Sequence, residues 1–344
     1  MNESFWPKIN KESGVPAYLQ IVDYFVRRVK DGTYAPGLKV PSLNGMAGLL
    51  GLSRETVFKS YDHLCHQGLL HSRHGKGYYI SNVHAQPKES ILVVLSEINP
   101  NITTILSSMM SRLKEKVDVT IQFHNENLET LRNCITDGLA HYDWFCIFPH
   151  FNPVKVSDNN LISVLRRIPQ NKLIVMDRFL PDLENCGMCY QHIANDIISS
   201  MEPLVTDFRR FNRLLSTPVY SALYGEEIER SLKLFCTRNH IPFEVCDVKR
   251  LQVFKGDVFF IYGCNLGQEL VSLTTKIRQR GFTIGKDIGV ICYDDFQINE
   301  ILLDGLTTLM TDYEEMGREA AEMILHKQTR RTHCHFAVKR RHSF

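Results

Sequence analysis

The 344-residue chain has no apolar run approaching the roughly 20 residues that a membrane-spanning helix needs. Its start is polar, with Glu3 and no hydrophobic core of a secretion signal, so a cytoplasmic protein is expected rather than an exported or anchored one. Internal repeats and low-complexity tracts are missing, as is a strong excess of either charge, the formal net charge being +2. The motifs of common enzymes are also missing: there is no phosphate-binding Walker loop, no Gly-x-Ser-x-Gly, no His-Glu-x-x-His and no complete dinucleotide fingerprint. Neither catalysis nor a cofactor is expected. With no export signal, the ten cysteines are read as reduced thiols filling buried positions.

Hydrophobic residues make up 44% of the chain and charged ones 23%, as in ordinary globular proteins, and the length calls for more than one domain. Charge is unevenly spread. Residues 1–81 hold ten Lys or Arg against six Asp or Glu, an excess of four, while the remainder holds 30 against 32. The basic bias at the front suits a polyanion partner.

That front segment reads as three helices and a hairpin. Tyr18, Ile21, Val22, Phe25 and Val29 repeat at helical spacing, and Gly32 ends the run. Pro41-Ser42 caps a short helix over Leu43–Leu50, Gly51 stops it, and Ser53 caps a third helix in which Val57, Tyr61 and Leu64 face inward. Arg54, Glu55 and Lys59 are left outside. Leu69–Arg73 and Tyr78–Ser81 flank His74-Gly75-Lys76-Gly77 as two strands of a basic wing. A helix fits the major groove, and its first residues meet base edges and phosphates, so Ser53, Arg54, Thr56 and Lys59 are candidate DNA contacts. Arg73, His74, Gly75 and Lys76 join them from the wing. Ser42 and Asn44 join them from the second helix.

Residues 82–90 carry no periodicity and read as a linker. Beyond it, apolar strand-length runs at Ile91–Leu95, Val117–Phe123, Trp144–Phe148, Leu173–Met176, Pro218–Leu223, Val258–Tyr262 and Ile288–Tyr293 alternate with helical patterns. Such alternation predicts an α/β body of two doubly wound, parallel-sheet lobes. The expected division is 1–81, winged helix-turn-helix; 82–90, linker; and 91–344, two-lobed body. Cys186-x-x-Cys189 has no partner pair for structural zinc, and Cys189 is read as opening a strand that ends at Ala194. His333-Cys334-His335 lies in a strand pattern. No metal is expected at either.

Pro16-Ala17-Tyr18-Leu19-Gln20-Ile21, Gly37-Leu38-Lys39-Val40-Pro41-Ser42, Leu52-Ser53-Arg54-Glu55-Thr56-Val57 and Gly75-Lys76-Gly77-Tyr78 resemble the DNA-binding domain of GntR-family regulators over residues 15–81. After Pro41-Ser42 that family usually has an acidic residue and then Arg, where this chain has Leu43 and Asn44. The body resembles LacI-type effector domains and periplasmic sugar-binding proteins. The resemblance rests on Ile174-Val175-Met176-Asp177-Arg178, His192-Ile193-Ala194-Asn195-Asp196, Asp287–Asp295, Leu306-Thr307-Thr308 and Met316-Gly317-Arg318-Glu319-Ala320-Ala321, in matching order. It implies Asp177, Arg178 and Asp294 as effector contacts, with Asn101 and Asp196 behind them, and Asn265 where relatives carry a carboxylate.

The resemblance implies a homodimeric transcriptional regulator that binds a double-stranded operator and answers a small effector, a monosaccharide such as a pentose or deoxyhexose. Repression of carbohydrate-utilisation genes is the expected direction. The alternatives are activation, a non-sugar metabolite, or a DNA-binding head on an inert protein-interaction body.

Overall fold

The computed structural model describes residues 5–10, 15–73, 75–81, 88–217, 223–247, 250–262 and 266–344. Most of the expected linker, the wing residue His74, Asn265, and all but Leu223 of the strand expected at Pro218–Leu223 lie outside the described residues. The chain divides into two compact units, one within residues 1–94, 113–124 and 129–146, the other within 95–112, 125–128 and 147–344.

The first unit opens with helices α1 (Ala17–Lys30), α2 (Leu43–Leu50) and α3 (Arg54–His66) and strands β1 (Leu70–Arg73) and β2 (Gly77–Ile80). Helix α1 buries Ile21, Val22 and Phe25, and α3 buries Val57, Tyr61 and Leu64, so the two apolar stripes close one core that Trp6 also enters. The Tyr61 hydroxyl donates to the Pro41 carbonyl at 2.9 Å, which pins α3 to the turn before α2. Gly51, at φ 63°, ends α2 in the left-handed conformation that glycine adopts without strain, and the chain turns at once into α3. Strands β1 and β2 pair antiparallel with Arg73 opposite Gly77, and Lys39 bridges to Tyr79 as a third short rung.

Further along run β3 (Glu89–Leu95), α4 (Pro100–Leu113), β4 (Val117–Phe123), α5 (Leu128–Gly138), β5 (Trp144–Ile147), α6 (Asp158–Leu165), β6 (Leu173–Asp177), β7 (Gly187–Tyr190) and α7 (Ile193–Met201). The rest is α8 (Val205–Phe208), β8 (Arg213–Ser216), α9 (Gly225–Arg238), β9 (Phe243–Val245), β10 (Asp257–Tyr262), α10 (Leu266–Gln279), β11 (Gly289–Tyr293), β12 (Thr307–Thr311), α11 (Tyr313–His326), β13 (Arg331–His333) and β14 (Phe336–Lys339).

Within the first unit the strand order is β5-β3-β4. The Ser90 amide and hydroxyl both bond the Asp143 carboxylate, at 3.0 and 3.1 Å, fixing where β3 begins beside the turn that leads into β5. On that turn His141 stacks against His63 of α3, ring centroids 6.1 Å apart, with His66 set edge-on at 6.2 Å. The back of α3 therefore rests on the 139–143 turn.

In the second unit, β13, β7 and β6 run parallel. A six-stranded sheet of order β14-β12-β11-β10-β8-β9 is parallel except where β14 meets β12. Its two faces are apolar for a simple reason. Side chains alternate along a strand, so Val258, Phe260, Ile291 and Tyr293 enter one cluster with α7 and α9. Phe259, Ile261, Val290 and Cys292 enter another with α10. Two-sided burial makes these strands unbroken hydrophobic runs. At Gly317 an added Cβ would collide with the Ile105 carbonyl, so α11 can lie against α4 only because no side chain stands there. Winged helix-turn-helix and parallel-sheet lobes are the architecture.

One local expectation is corrected. The run from Cys189 does not continue as a strand to Ala194, because β7 ends at Tyr190 and α7 starts at Ile193. The side chain of Gln191 is drawn into a buried hydrogen-bond network, which breaks the strand there. Strand β8, at Arg213–Ser216, is an element that the sequence reading did not place. Among the described residues no helix is long and apolar enough to cross a membrane, and no cluster of three or more His, Cys, Asp or Glu could hold a metal.

Candidate nucleic-acid interface and effector pocket

Helix α3 begins with its polar residues set by a cap. The Ser53 hydroxyl oxygen accepts from the Thr56 amide at 3.1 Å and lies 2.8 Å from the Thr56 hydroxyl. Both hydroxyls are thus committed to shaping the helix start. Ser42 does the same for α2, accepting from the Gly45 amide at 3.1 Å. Arg54, Glu55, Phe58 and Lys59 line the exposed side of α3, and Lys59 is 3.8 Å from Glu55. Asn44 is exposed next to the Ser42 cap. In the wing the Arg73 guanidinium sits 5.0 Å from the centre of the Tyr79 ring and the Lys39 ammonium 5.9 Å from it. With Lys76 and Gly75 exposed at the hairpin tip, the wing presents several cations around one aromatic platform. Lys39, Phe58 and Tyr79 escaped the sequence reading. For Lys39 the signal is its place one residue before Val40-Pro41, where an extended stretch can rung onto the hairpin.

The pocket belongs wholly to the second unit and encloses about 400 Å³. Its walls come from residues at or just past the carboxyl ends of strands: Ser96 and Glu97 after β3, His150 after β5, Asp177 ending β6, Gln191 after β7, Tyr262 and Tyr293 ending β10 and β11, and Tyr313 after β12. That is where open α/β sheets bind ligands. Asp177 and Asp294 hold φ of 68° and 72°, a left-handed conformation uncommon for non-glycine residues, at the ends of β6 and β11. The two strand ends carry the same device.

Each carboxylate has donors. Asp177 accepts from the Gln191 amide at 2.7 Å and the Tyr224 hydroxyl at 3.1 Å, and His150 Nε2 lies 2.9 Å away, off the line of a good hydrogen bond. Gln191 Oε1 in turn accepts from the Tyr293 and Thr311 hydroxyls at 3.0 and 2.8 Å. Asp294, 1% exposed, accepts from the Tyr313 hydroxyl at 3.0 Å. Burial pushes its carboxyl up to about 6, against the hydrogen bonds from Asn101 and Tyr313 that favour the charge. The next residue is the opposite case. Asp295 is held down at about 2: burial alone would raise it, but Arg341, Lys339 and Thr308 outweigh burial. Arg341 grips it with both guanidinium arms, at 2.8 and 3.1 Å.

Of the residues implied by the resemblance, Asn101 and Asp177 line the pocket and Asp294 lies directly beneath Tyr313. Arg178 turns away from it. Its guanidinium meets Asp158 at 2.6 Å in a smaller neighbouring hollow of about 210 Å³. Asp196, 3% exposed, accepts from the His192 amide at 2.6 Å and sits 2.8 Å from the His333 ring. Arg230 faces a third hollow, near Glu226 and Leu234. Cys186 and Cys189 are both buried, and burial pushes the Cys186 thiol up, as suits packing rather than reactivity. Gln191, His150 and the tyrosines at 224, 262, 293 and 313 went unseen. For all but Tyr224, which precedes α9, the signal is position, at a strand's last residue or up to three residues past it.

A winged helix-turn-helix head with an exposed basic wing, and parallel-sheet lobes with a polar pocket at the strand ends, are the two parts that the geometry defines. Residues 17–80 match the family described as "Bacterial regulatory proteins, gntR family", and residues 263–342 match a periplasmic binding protein-like domain. The arabinose metabolism transcriptional repressor of Geobacillus stearothermophilus is 24% identical over 92% of each chain. The transcriptional repressor NagR of Bacillus subtilis is 30% identical over 37% of this chain, a match spanning 49%, about half, of NagR. In fold, the body is similar to the lac repressor bound to ONPG, with TM-score 0.59 at 15% identity over 85% of this chain and 90% of that one. It is also similar to the Escherichia coli repressor ascG, with TM-score 0.60 at 14% identity over 75% and 99%. The chain joins a GntR-type DNA-binding domain to a periplasmic-binding-protein-like domain, and its body shares the fold of the lac repressor.

Proposed function

We propose that this regulator is a homodimeric repressor of carbohydrate-utilisation genes, released from its operator when a small neutral sugar, a pentose or deoxyhexose, enters the pocket of the second unit. The observation that carries the reading is the strand-end carboxylate Asp177, set among tyrosine and amide groups in a cavity of monosaccharide size, with the matching strand-end carboxylate Asp294 buried behind the wall residue Tyr313. Carboxylate and amide groups can each bond adjacent sugar hydroxyls, and aromatic rings stack on the apolar ring face. Asn101, and Asn265 from outside the described residues, complete the polar set in this reading. Arg178 and Asp196 act from beside it. That the Geobacillus and Bacillus relatives are both named as repressors supports the direction of control.

On the DNA side, Ser42, Asn44, Ser53, Arg54, Thr56 and Lys59 with the wing residues Arg73, His74, Gly75 and Lys76 form the operator contact, and a dimer places two such heads on two half-sites. The expected domain limits, 1–81 and 91–344, follow the same division of labour, in the cytoplasm. Ligand can weaken DNA binding only by its differential affinity for two arrangements of the protein, typically about 1–3 kcal/mol.

A thermal-shift screen of pentoses, deoxyhexoses and hexoses tests the reading. At least one should raise the melting temperature of the full chain, and Asp177→Ala and Asp294→Ala should abolish that rise. A panel without a single shift would remove sugars as the effector class. A shift that persists in both variants would put the site elsewhere.

A further inference from the structure

Among the described residues of the head, the large apolar side chains that stand in water are Val15, Leu49 and Phe58. Phe58 alone of these belongs to α3. It is 48% exposed, and its ring stands outside the residues that pack the head's core. Its place on the helix is informative. Val57, Ser60, Tyr61 and Leu64 point inward, so the outward side carries Arg54, Glu55, Phe58 and Lys59, with Phe58 one full turn after Arg54. Glu55 and Lys59, 3.8 Å apart, partly satisfy each other. The face therefore reads as a guanidinium, an aromatic ring and an ammonium in sequence along the first two turns of a helix whose amino end is already shaped by the Ser53 cap. Surface helices gain nothing from a half-hydrated phenylalanine between two cations. A helix lying in a major groove does, because the thymine C5-methyl is the one apolar group on any base edge there, and aromatic contact with it is an established form of readout.

We infer that Phe58 is a specificity-determining residue that reads a thymine methyl in the operator half-site, while Arg54 and Lys59 on either side hold base edge and phosphate. The inference rests on the head binding DNA through α3 and needs no assumption about the effector. It separates two kinds of contact: cations that bind duplexes of any sequence, and one ring whose contribution vanishes when a single methyl group is removed.

The test starts from a random duplex pool, selected separately with the full-length protein and with Phe58→Ala. Because Phe58 is half in water and outside the core, the variant should keep the wild-type melting temperature. The wild-type pool should enrich a thymine at one position of the half-site that the Phe58→Ala pool leaves degenerate. Each thymine of the wild-type site is then replaced by uracil, which lacks only the methyl. At one position the change should weaken wild-type binding about fourfold, the worth of one buried methyl group, and leave Phe58→Ala unchanged. Phe58→Leu, which keeps an apolar tip, should retain part of the thymine preference. Lys59→Ala serves as the contrast, weakening all sequences alike with a shallower salt dependence. The inference is overturned if no uracil substitution discriminates between the two proteins, or if both select the same site. A wild-type pool that enriches no sequence overturns the reading of α3 as the recognition helix as well.

Discussion

Two adjacent carboxylates, Asp294 and Asp295, show how environment rather than sequence sets behaviour. Asp295 meets two cations and titrates near 2, whereas Asp294 meets only hydroxyl and amide donors in a dry site and titrates near 6. The signs follow from linkage. Asp294 has a native value above its unfolded 3.8, so the folded state holds its proton more tightly and stability falls as pH rises from 3.8 to about 6, then stays level. The full cost, roughly 3 kcal/mol, is present above pH 6. Asp294→Asn should flatten this part of the pH–stability curve and raise the neutral-pH melting temperature, read by calorimetry at pH 5 and pH 8. An unchanged difference between the two pH values would mean that Asp294 is not the group responsible. Asp295 runs the other way: its stabilisation is complete above 3.8 and is lost as pH falls toward about 2. Arg341, 14% exposed, has its main charge partner there, so Arg341→Ala should cost about 3 kcal/mol at neutral pH by stranding a buried carboxylate. Urea unfolding checks it, and a loss near zero would show that Lys339 suffices.

At the scale of elements, α3, the helix proposed to meet DNA, also leans on the rest of its unit. His63 of α3 is 5% exposed, and burial against the 139–143 turn lowers its pKa. Asp143 and the Ala140 carbonyl oppose that effect, while His141 and His66 add to it. A lowered histidine contributes stability that is present above its unfolded value of 6.5 and is lost as pH falls below it. Hydrogen exchange at residues 139–143, corrected for intrinsic rates, should therefore rise as pH is lowered below 6.5. His63→Phe, which keeps a ring in the contact, should remove that pH response; a response that survives would place its origin in His66 or His141. How much of this was readable depends on which elements are self-contained. Helix α2 and strand β4 fall where the sequence places them because their signals are local: a Ser42 cap and Gly51 stop for one, and a bounded β-rich run for the other. Strand β8, only four residues long, has no such signature and is held by its neighbours β9 and β10. The strand expected through Gln191 fails because a tertiary network claims that side chain. Likewise Asp177 could be inferred from a family pattern, but not the pocket's tyrosines or its Glu97 and Glu126, since periodicity locates strands without telling which strand ends converge.

On the scale of the whole molecule, the proposed operator contact of α3 and the wing and the proposed sugar site are linked, where they are linked at all, equally in both directions. If a sugar lowers operator affinity by some factor, operator must lower sugar affinity by the same factor, because both measure one coupling free energy. The two sites also separate by salt. In the proposed interface, phosphate contacts from Lys59, Arg73 and Lys76 would release counterions, so removing one of them should reduce the slope of log affinity against log salt by about 0.9. None of these side chains belongs to the pocket, which is built from residues of the second unit. Lys76→Ala should accordingly weaken DNA binding and flatten its salt dependence, yet leave both the sugar affinity of the free protein and the coupling factor as they were. Titrating sugar calorimetrically with and without saturating operator, and operator with and without saturating sugar at several salt concentrations, for wild type and Lys76→Ala, measures these quantities. A coupling factor that differs between the two directions would mean that the protein populates a further state, such as a change of oligomer. A factor of one in both directions, with sugar bound, would show that the pocket does not control the head.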